Sequence, residues 1–230
     1  YRRSESDWRW QPRGATSFEP VETTPERARA FVLPDAPGVV KSELRTADDR
    51  IRLAGYTLTS ERVVQALLAA HQRGVDVDVL LDGSPVGGIS RREVDGLDRL
   101  TEAGVDVTVL GGERTPIRFH HAKYAVIDDR ALLLTENFKP AGTGGHSSRG
   151  WGVVLDDPAL TAELGAVFRT DAGGPGAVSW SRYRSSVDPV DDYASRMRFP
   201  RRFTPETVPV HRARLLVAPD NARPELAELL

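Results

Sequence analysis

Two consecutive strand–helix–strand units between Arg50 and Leu110 constrain this chain more than any other feature. From Arg50 to Leu58, Ile51 and Leu53 alternate with charged residues, as a strand requires. Ser60 then offers an N-cap hydroxyl to a helix from Glu61 to Arg73, and Gly74 closes it. Val63, Val64, Leu67, Leu68 and His71 form that helix's apolar stripe. Val75 to Leu81 has the period-two pattern of a strand. Ser90 to Ala103 is a second helix, closed by Gly104, and Val105 to Leu110 a further strand. Units of this length join through right-handed crossovers. They predict an α/β fold: a mixed, largely parallel β-sheet flanked by helices on both faces.

Further elements extend the sheet. Ala30 to Leu33 reads as a strand ended by Pro34-Asp35, and Val39 to Asp48 as a helix. His121 to Ile127 and Ala131 to Leu134 read as a tightly connected strand pair. Trp151 to Leu155 is another strand, and Pro158 to Phe168 a helix with proline in its first turn. The pattern predicts four regions. Residues 1–27 are an extension or the remnant of an upstream module, with Trp8 and Trp10 on one side of an extended segment. Residues 28–172 are the main lobe. Residues 173–212 are a long connection whose Trp180, Tyr183, Tyr193 and Phe199 imply packing. Residues 213–230 start a second, similar lobe.

That last boundary rests on an internal repeat. Ala213-Arg214-Leu215-Leu216-Val217-Ala218-Pro219-Asp220 repeats the form of Ala28-Arg29-Ala30-Phe31-Val32-Leu33-Pro34-Asp35. A helix-like segment follows each. The expectation is a tandem of two lobes, the second cut off in its first helix.

Composition removes several classes of function. With no cysteine there are no disulfides, thiolate metal sites or cysteine nucleophile. The net charge of −2 provides no global basic field for nucleic acid. No apolar run approaches the ~18 residues of a membrane span. The chain opens on Tyr1-Arg2-Arg3, so its true beginning is expected upstream and its compartment is unknown. Three lysines stand against 28 arginines, which makes a lysine at position 123 informative.

The chemistry gathers at Phe119-His120-His121-Ala122-Lys123-Tyr124-Ala125-Val126-Ile127-Asp128, a His-x-Lys-x4-Asp pattern. Two apart on a strand, His121 and Lys123 project to one side. An imidazole beside an ammonium is a poor metal site and a good phosphate site. The lysine cancels phosphoryl charge while the imidazole attacks phosphorus. Asp128 has the opposite parity and sits at the turn, where it orients neighbours or fixes the turn. A hairpin about Asp129 pairs positions summing to about 258, setting Asn137 opposite His121 and Thr135 opposite Lys123. Asn137 would then donate to the phosphate oxygens. Glu136 either orients an imidazole or is an exposed carboxylate at the strand end. His120 points to the opposite face and reads as structural. The Gly142–Gly150 run has no phosphate-loop pattern.

These residues resemble the phospholipase D superfamily, whose signature is His-x-Lys-x4-Asp followed by Gly-Ser-x-Asn. His121, Lys123 and Asp128 match the first part. Leu134-Thr135-Glu136-Asn137 matches the second loosely, without Gly-Ser and with the asparagine one residue early. The resemblance runs from about Ala28 to Phe168. It implies a phosphodiesterase acting through a covalent phosphohistidine, with no metal or other cofactor. It also implies a second such motif at the same site, from a later lobe or a homodimer partner. His121, Lys123 and Asp128 would be the catalytic set, with Lys123 and Asn137 on the phosphate. The expected substrate is a phospholipid or other phosphodiester. The alternatives are a nuclease of the same superfamily, with nucleic acid as partner, and a non-catalytic lobe that only binds or dimerises.

Overall fold

A computed structural model describes residues 18–111, 115, 117–192, 197 and 200–228. Trp8, Trp10, Tyr193 and Phe199 lie outside them. The strands are β1 (Val21–Thr23), β2 (Arg27–Leu33), β3 (Arg50–Gly55), β4 (Asp76–Asp82), β5 (Asp106–Leu110), β6 (Tyr124–Ile127), β7 (Arg130–Leu134), β8 (Gly150–Asp156), β9 (Ala177–Ser179), β10 (Glu206–Val208) and β11 (Ala213–Leu215). The helices are α1 (Gly38–Arg45), α2 (Glu61–Gln72), α3 (Arg91–Glu102), α4 (Pro158–Ala172), α5 (Trp180–Tyr183) and α6 (Ala222–Glu228). None is long and apolar enough to cross a membrane among the described residues.

Nine strands form one mixed sheet in the order β10-β2-β8-β7-β6-β3-β4-β5-β9. The α/β class and the two helical layers are as expected. One core packs α1, α2 and α3 on Leu53, Val79, Val107 and Ala125. The other packs Leu164 and Phe168 of α4 on Leu80, Tyr124 and Val126. Alternate strand residues thus serve opposite faces. The parallel share is smaller than expected: only β3–β4 and β4–β5 run parallel. Parallel pairing needs a crossover, and only α2 and α3 supply one here. The turn at Asp128-Asp129 makes β6–β7 antiparallel, and the loop back to β8 does the same for β7–β8.

Two of the helices begin with a side-chain cap. Ser90 Oγ accepts from Glu93 N, and Asp157 Oδ1 from Leu160 N at 2.9 Å. Ser60, expected to do likewise, makes no side-chain cap. The connecting segment packs down as predicted. Trp180 is 1% exposed, and its indole N–H donates to Asp98 Oδ1 at 2.7 Å. Tyr183 OH donates to the Gly83 carbonyl at 2.8 Å.

The two segments that resemble each other in sequence also match in their pairing. Phe18 and Phe203, Pro20 and Pro205, Ala28 and Ala213, Val32 and Val217, and Asp35 and Asp220 are all 185 positions apart. The strand leading each segment pairs with the other segment, in the same register. Val21 opposes Leu215 as Glu206 opposes Ala30. Asp220 Oδ2 accepts from Phe18 N at 3.0 Å, and Asp35 Oδ2 from Phe203 N at 2.9 Å. Ala36 N to Val32 O, at 2.9 Å, has its counterpart in Asn221 N to Val217 O, at 3.0 Å.

Candidate active site

The parallel strands β3 and β4 end at Gly55 and Asp82, and the crevice beyond their carboxyl ends is where α/β sheets place ligands. Residues 119–123 cross this end just before β6. Asp82, 3% exposed, holds them there: its Oδ2 accepts from His120 N at 2.6 Å and its Oδ1 from Ser84 N at 2.8 Å. Burial raises the Asp82 carboxyl above its usual range, against these two N–H donors.

Tyr56 forms the floor. Its hydroxyl oxygen accepts from Val86 N at 2.6 Å, which fixes the ring. The His121 imidazole meets the ring edge-on at 4.6 Å, and Phe119 does so at 6.1 Å. Lys123 Nζ lies 5.5 Å from the same ring centre and donates to the His121 carbonyl at 2.5 Å. His121 and Lys123 thus share one surface, as their spacing predicts. They precede β6, however, and do not lie in it. The hydrogen bond that Asp82 accepts from His120 N does the work assigned to strand pairing.

The two groups have complementary charge states. Burial lowers the His121 pKa, and the Lys123 charge lowers it further, against Asp82. Both effects favour the neutral imidazole near pH 7. Burial pulls the Lys123 ammonium down to about 8, and Glu136 opposes that fall. The ammonium keeps its charge at neutrality and has hydrogens left for a ligand beyond the one given to the His121 carbonyl.

The hairpin register is one residue off the expected one. Tyr124 opposes Leu133, and Leu134 N donates to Lys123 O at 2.9 Å. The reason is the two-residue turn with Asp128 at φ 52°, a left-handed conformation that aspartate tolerates. The ladder ends at Leu134, and beyond it Glu136 lies within electrostatic reach of Lys123. Thr135, expected opposite Lys123, bonds instead to Trp151, accepting its N–H on Oγ1 at 2.9 Å. Two glycines make room for Glu136. A β-carbon at Gly142 would come within 2.8 Å of Oε2, and one at Gly150 within 2.9 Å of Oε1. Asn137 Oδ1 is buried without a hydrogen-bond partner.

Asp128 is not at this end. Five residues past Lys123, it lies ~16 Å further along the strand. Its carboxylate accepts from the backbone N–H groups of Asp48, Asp49 and Arg50 at 3.1, 3.0 and 2.9 Å. Burial would raise its pKa, but these donors and Arg130 outweigh burial and hold it low. Of the two roles the sequence allows it, fixing the turn is the one its contacts perform. His120 turns away from the crevice. It is 4% exposed, with Nε2 3.6 Å from Asp171 on α4. Tyr56 and Asp82 escaped the motif search, although each falls at the end of a parallel strand.

The profile of the family described as "Cardiolipin synthase, PLD-like domain" matches residues 40–172. No curated protein matches. Among solved structures, the phospholipase D family member Nuc from Salmonella typhimurium is 22% identical, with a TM-score of 0.57 over 70% of this chain and 98% of that one. NucT from Helicobacter pylori is 16% identical, with a TM-score of 0.56 over 70% of this chain and all of that one. Phosphatidylserine synthase from Haemophilus influenzae is 11% identical, with a TM-score of 0.50 over 74% of this chain and 41% of that one. The profile match covers more than half of the sequence and includes the His-x-Lys-x4-Asp segment, so the chain belongs to the phospholipase D superfamily.

Proposed function

We propose that this chain is a catalytic lobe of a phosphodiesterase that works through a phosphohistidine on His121. The observation that carries the reading is the His121 imidazole and the Lys123 ammonium set on one Tyr56 ring just beyond the end of β3. A ring-nitrogen lone pair of His121 forms a bond to phosphorus while the bond from phosphorus to the leaving oxygen breaks. Lys123 neutralises the charge that builds on the phosphoryl oxygens. Asn137 supplies amide donors beside it. Glu136 favours the charged form of Lys123 against burial. Asp128 acts at a distance, by anchoring the start of β3 to the turn. The positive charge comes from Lys123, so the scheme calls for no metal.

The leaving oxygen needs a proton, and water must later be activated to split the P–N bond. A second imidazole performs both steps in turn. We assign it to a second lobe that begins at β11. The register shared by the exchanged strands supports that assignment. A homodimer is the other source.

The substrate reading is an amphiphilic phosphodiester, a phospholipid first. Two exposed apolar residues lie next to Tyr56: Phe119, 37% exposed, whose ring meets it at 6.1 Å, and Val86, 79% exposed, whose backbone N–H donates to its hydroxyl. Neither side chain suits a polyanion. Nuclease action is the second reading. It draws on Arg118, whose guanidinium lies 5.3 Å from the Phe119 ring.

The test assays full-length protein and His121→Ala on bis-p-nitrophenyl phosphate, phosphatidylcholine and DNA. An acid-labile phosphate is sought on the peptide containing His121. Equal turnover by the variant would reject the scheme. Turnover of DNA alone would select the second reading.

A further inference from the structure

Ser90-x-x-Glu93 opens α3 with the residues of a capping box, in which the glutamate normally folds back to its own N-cap. Half of the box forms: Ser90 Oγ accepts from Glu93 N at 3.3 Å. The glutamate side chain goes elsewhere. Its Oε1 accepts from the backbone N–H of Leu58 at 2.6 Å, across 35 residues of sequence. Glu93 is 3% exposed, an expensive place for a carboxylate that could have capped its helix at the surface.

The bond leads to the site in two steps. Leu58 forms an isolated parallel bridge with Phe138. The Phe138 carbonyl accepts from Thr59 N at 3.0 Å and from Ser60 N at 2.8 Å. Phe138 is fully buried, and its ring lies 3.0 Å from where a β-carbon on Gly55 would stand. Asn137, with its buried unpaired Oδ1, is the next residue.

We infer that Glu93 is a positioning residue for the phosphate site, holding the 57–60 strip against Phe138 and so setting where Asn137 and Glu136 stand. The inference rests on the reading above in which those two residues face the substrate. It adds a regulation of that site. The groups that bear on the Glu93 charge are Lys139, which favours it, and Asp192 and Asp82, which oppose it. Burial dominates and lifts the carboxyl to about 7. Across neutrality Glu93 therefore changes charge, and its grip on Leu58 N changes with it, because an ionised acceptor bonds more strongly. Asn137 is held more firmly above pH 7 than below.

The test is an NMR titration from about pH 5.5 to about pH 8.5. It follows the Leu58 backbone amide and the Asn137 side-chain amide in His121→Ala protein, so that the imidazole does not contribute. Both resonances are expected to shift with one midpoint near 7, and Glu93→Gln in that background should abolish that step while the spectrum stays dispersed and the separate Lys123 step near 8 remains. A Leu58 shift with Asn137 silent would overturn the inference. So would an Asn137 step with a midpoint near 7 that survives Glu93→Gln. If the glutamine variant does not fold, the parent titration decides alone. In the otherwise native protein, Glu93→Gln should lower kcat about tenfold with little change in KM. Absent turnover in native protein with the NMR coupling intact would sink the phosphodiesterase reading and leave the coupling standing.

Discussion

The Tyr56 ring and the His121 imidazole meet edge to face, with centroids 4.6 Å apart and planes inclined at 65°. The contact limits how His121 can rotate and shields one side of it from water. Replacing Tyr56 with alanine removes the floor under both His121 and Lys123. Activity should fall by ~10- to 100-fold through lost orientation. The His121 pKa should move back up toward the ordinary histidine value, because burial is the main cause of its depression. Tyr56→Phe keeps the ring and loses only the bond from Val86 N, so it should retain most activity. An imidazole titration by NMR, run beside the kinetics, checks both.

Glu136 sets the alkaline limit. Lys123 must be charged to hold phosphate, and its folded pKa of about 8 lies below the usual lysine value. Burial lowers it, and the Glu136 carboxylate resists. In Glu136→Gln that resistance is gone, so the ammonium loses its proton at lower pH. The alkaline limb of kcat/KM should move in the acid direction. The acid limb, governed by His121, should move less. A limb that stays in place would show that Glu136 and Lys123 are not coupled.

How much of this was legible in the sequence depended on the range of the interaction. The β3–α2–β4–α3–β5 run was readable because apolar periodicity and glycine caps are local. The His121–Lys123 pair was readable because two residues in extended chain share a side whether or not they lie in a strand. The β6–β7 register was legible only to within one residue, because it depends on the left-handed φ of Asp128, which no periodicity encodes. Tyr56 and Asp82 were missed because their partners lie 65 and 38 residues away, at His121 and His120. The antiparallel part of the sheet was underestimated because strands of either direction read alike in sequence.

Asp128 should matter to stability far more than to chemistry. Three backbone N–H groups would lose their acceptor in Asp128→Ala. Alanine at φ 52° adds strain. A loss of ~2–3 kcal/mol in unfolding free energy is expected. The sign with pH follows from the depressed pKa. The carboxylate stabilises the fold above the unfolded value of about 3.9, and that contribution disappears as pH falls through the lower folded value. Urea unfolding at about pH 7 should separate wild type from variant, and the gap should narrow in strong acid. Activity per folded molecule should stay within about threefold, since the crevice lies at the far end of β6.

Asp35 tests the exchanged strands. Its Oδ2 accepts from Arg202 N at 2.7 Å and Phe203 N at 2.9 Å, and its side chain is almost fully buried. Asp35→Ala leaves both amides without that acceptor and should cost ~2–4 kcal/mol. The loss should be local first. β10 meets the sheet only through β2, so the amides of Glu206–Val208 should exchange faster before the rest of the sheet does. If residues 18–35 and 203–220 are two copies of one unit, Asp220→Ala should release Glu22 and its neighbours in β1 in the same way. Hydrogen exchange on both variants decides this: protection lost in β10 for one and in β1 for the other supports a common unit, and an Asp220→Ala variant that leaves β1 protected argues against one.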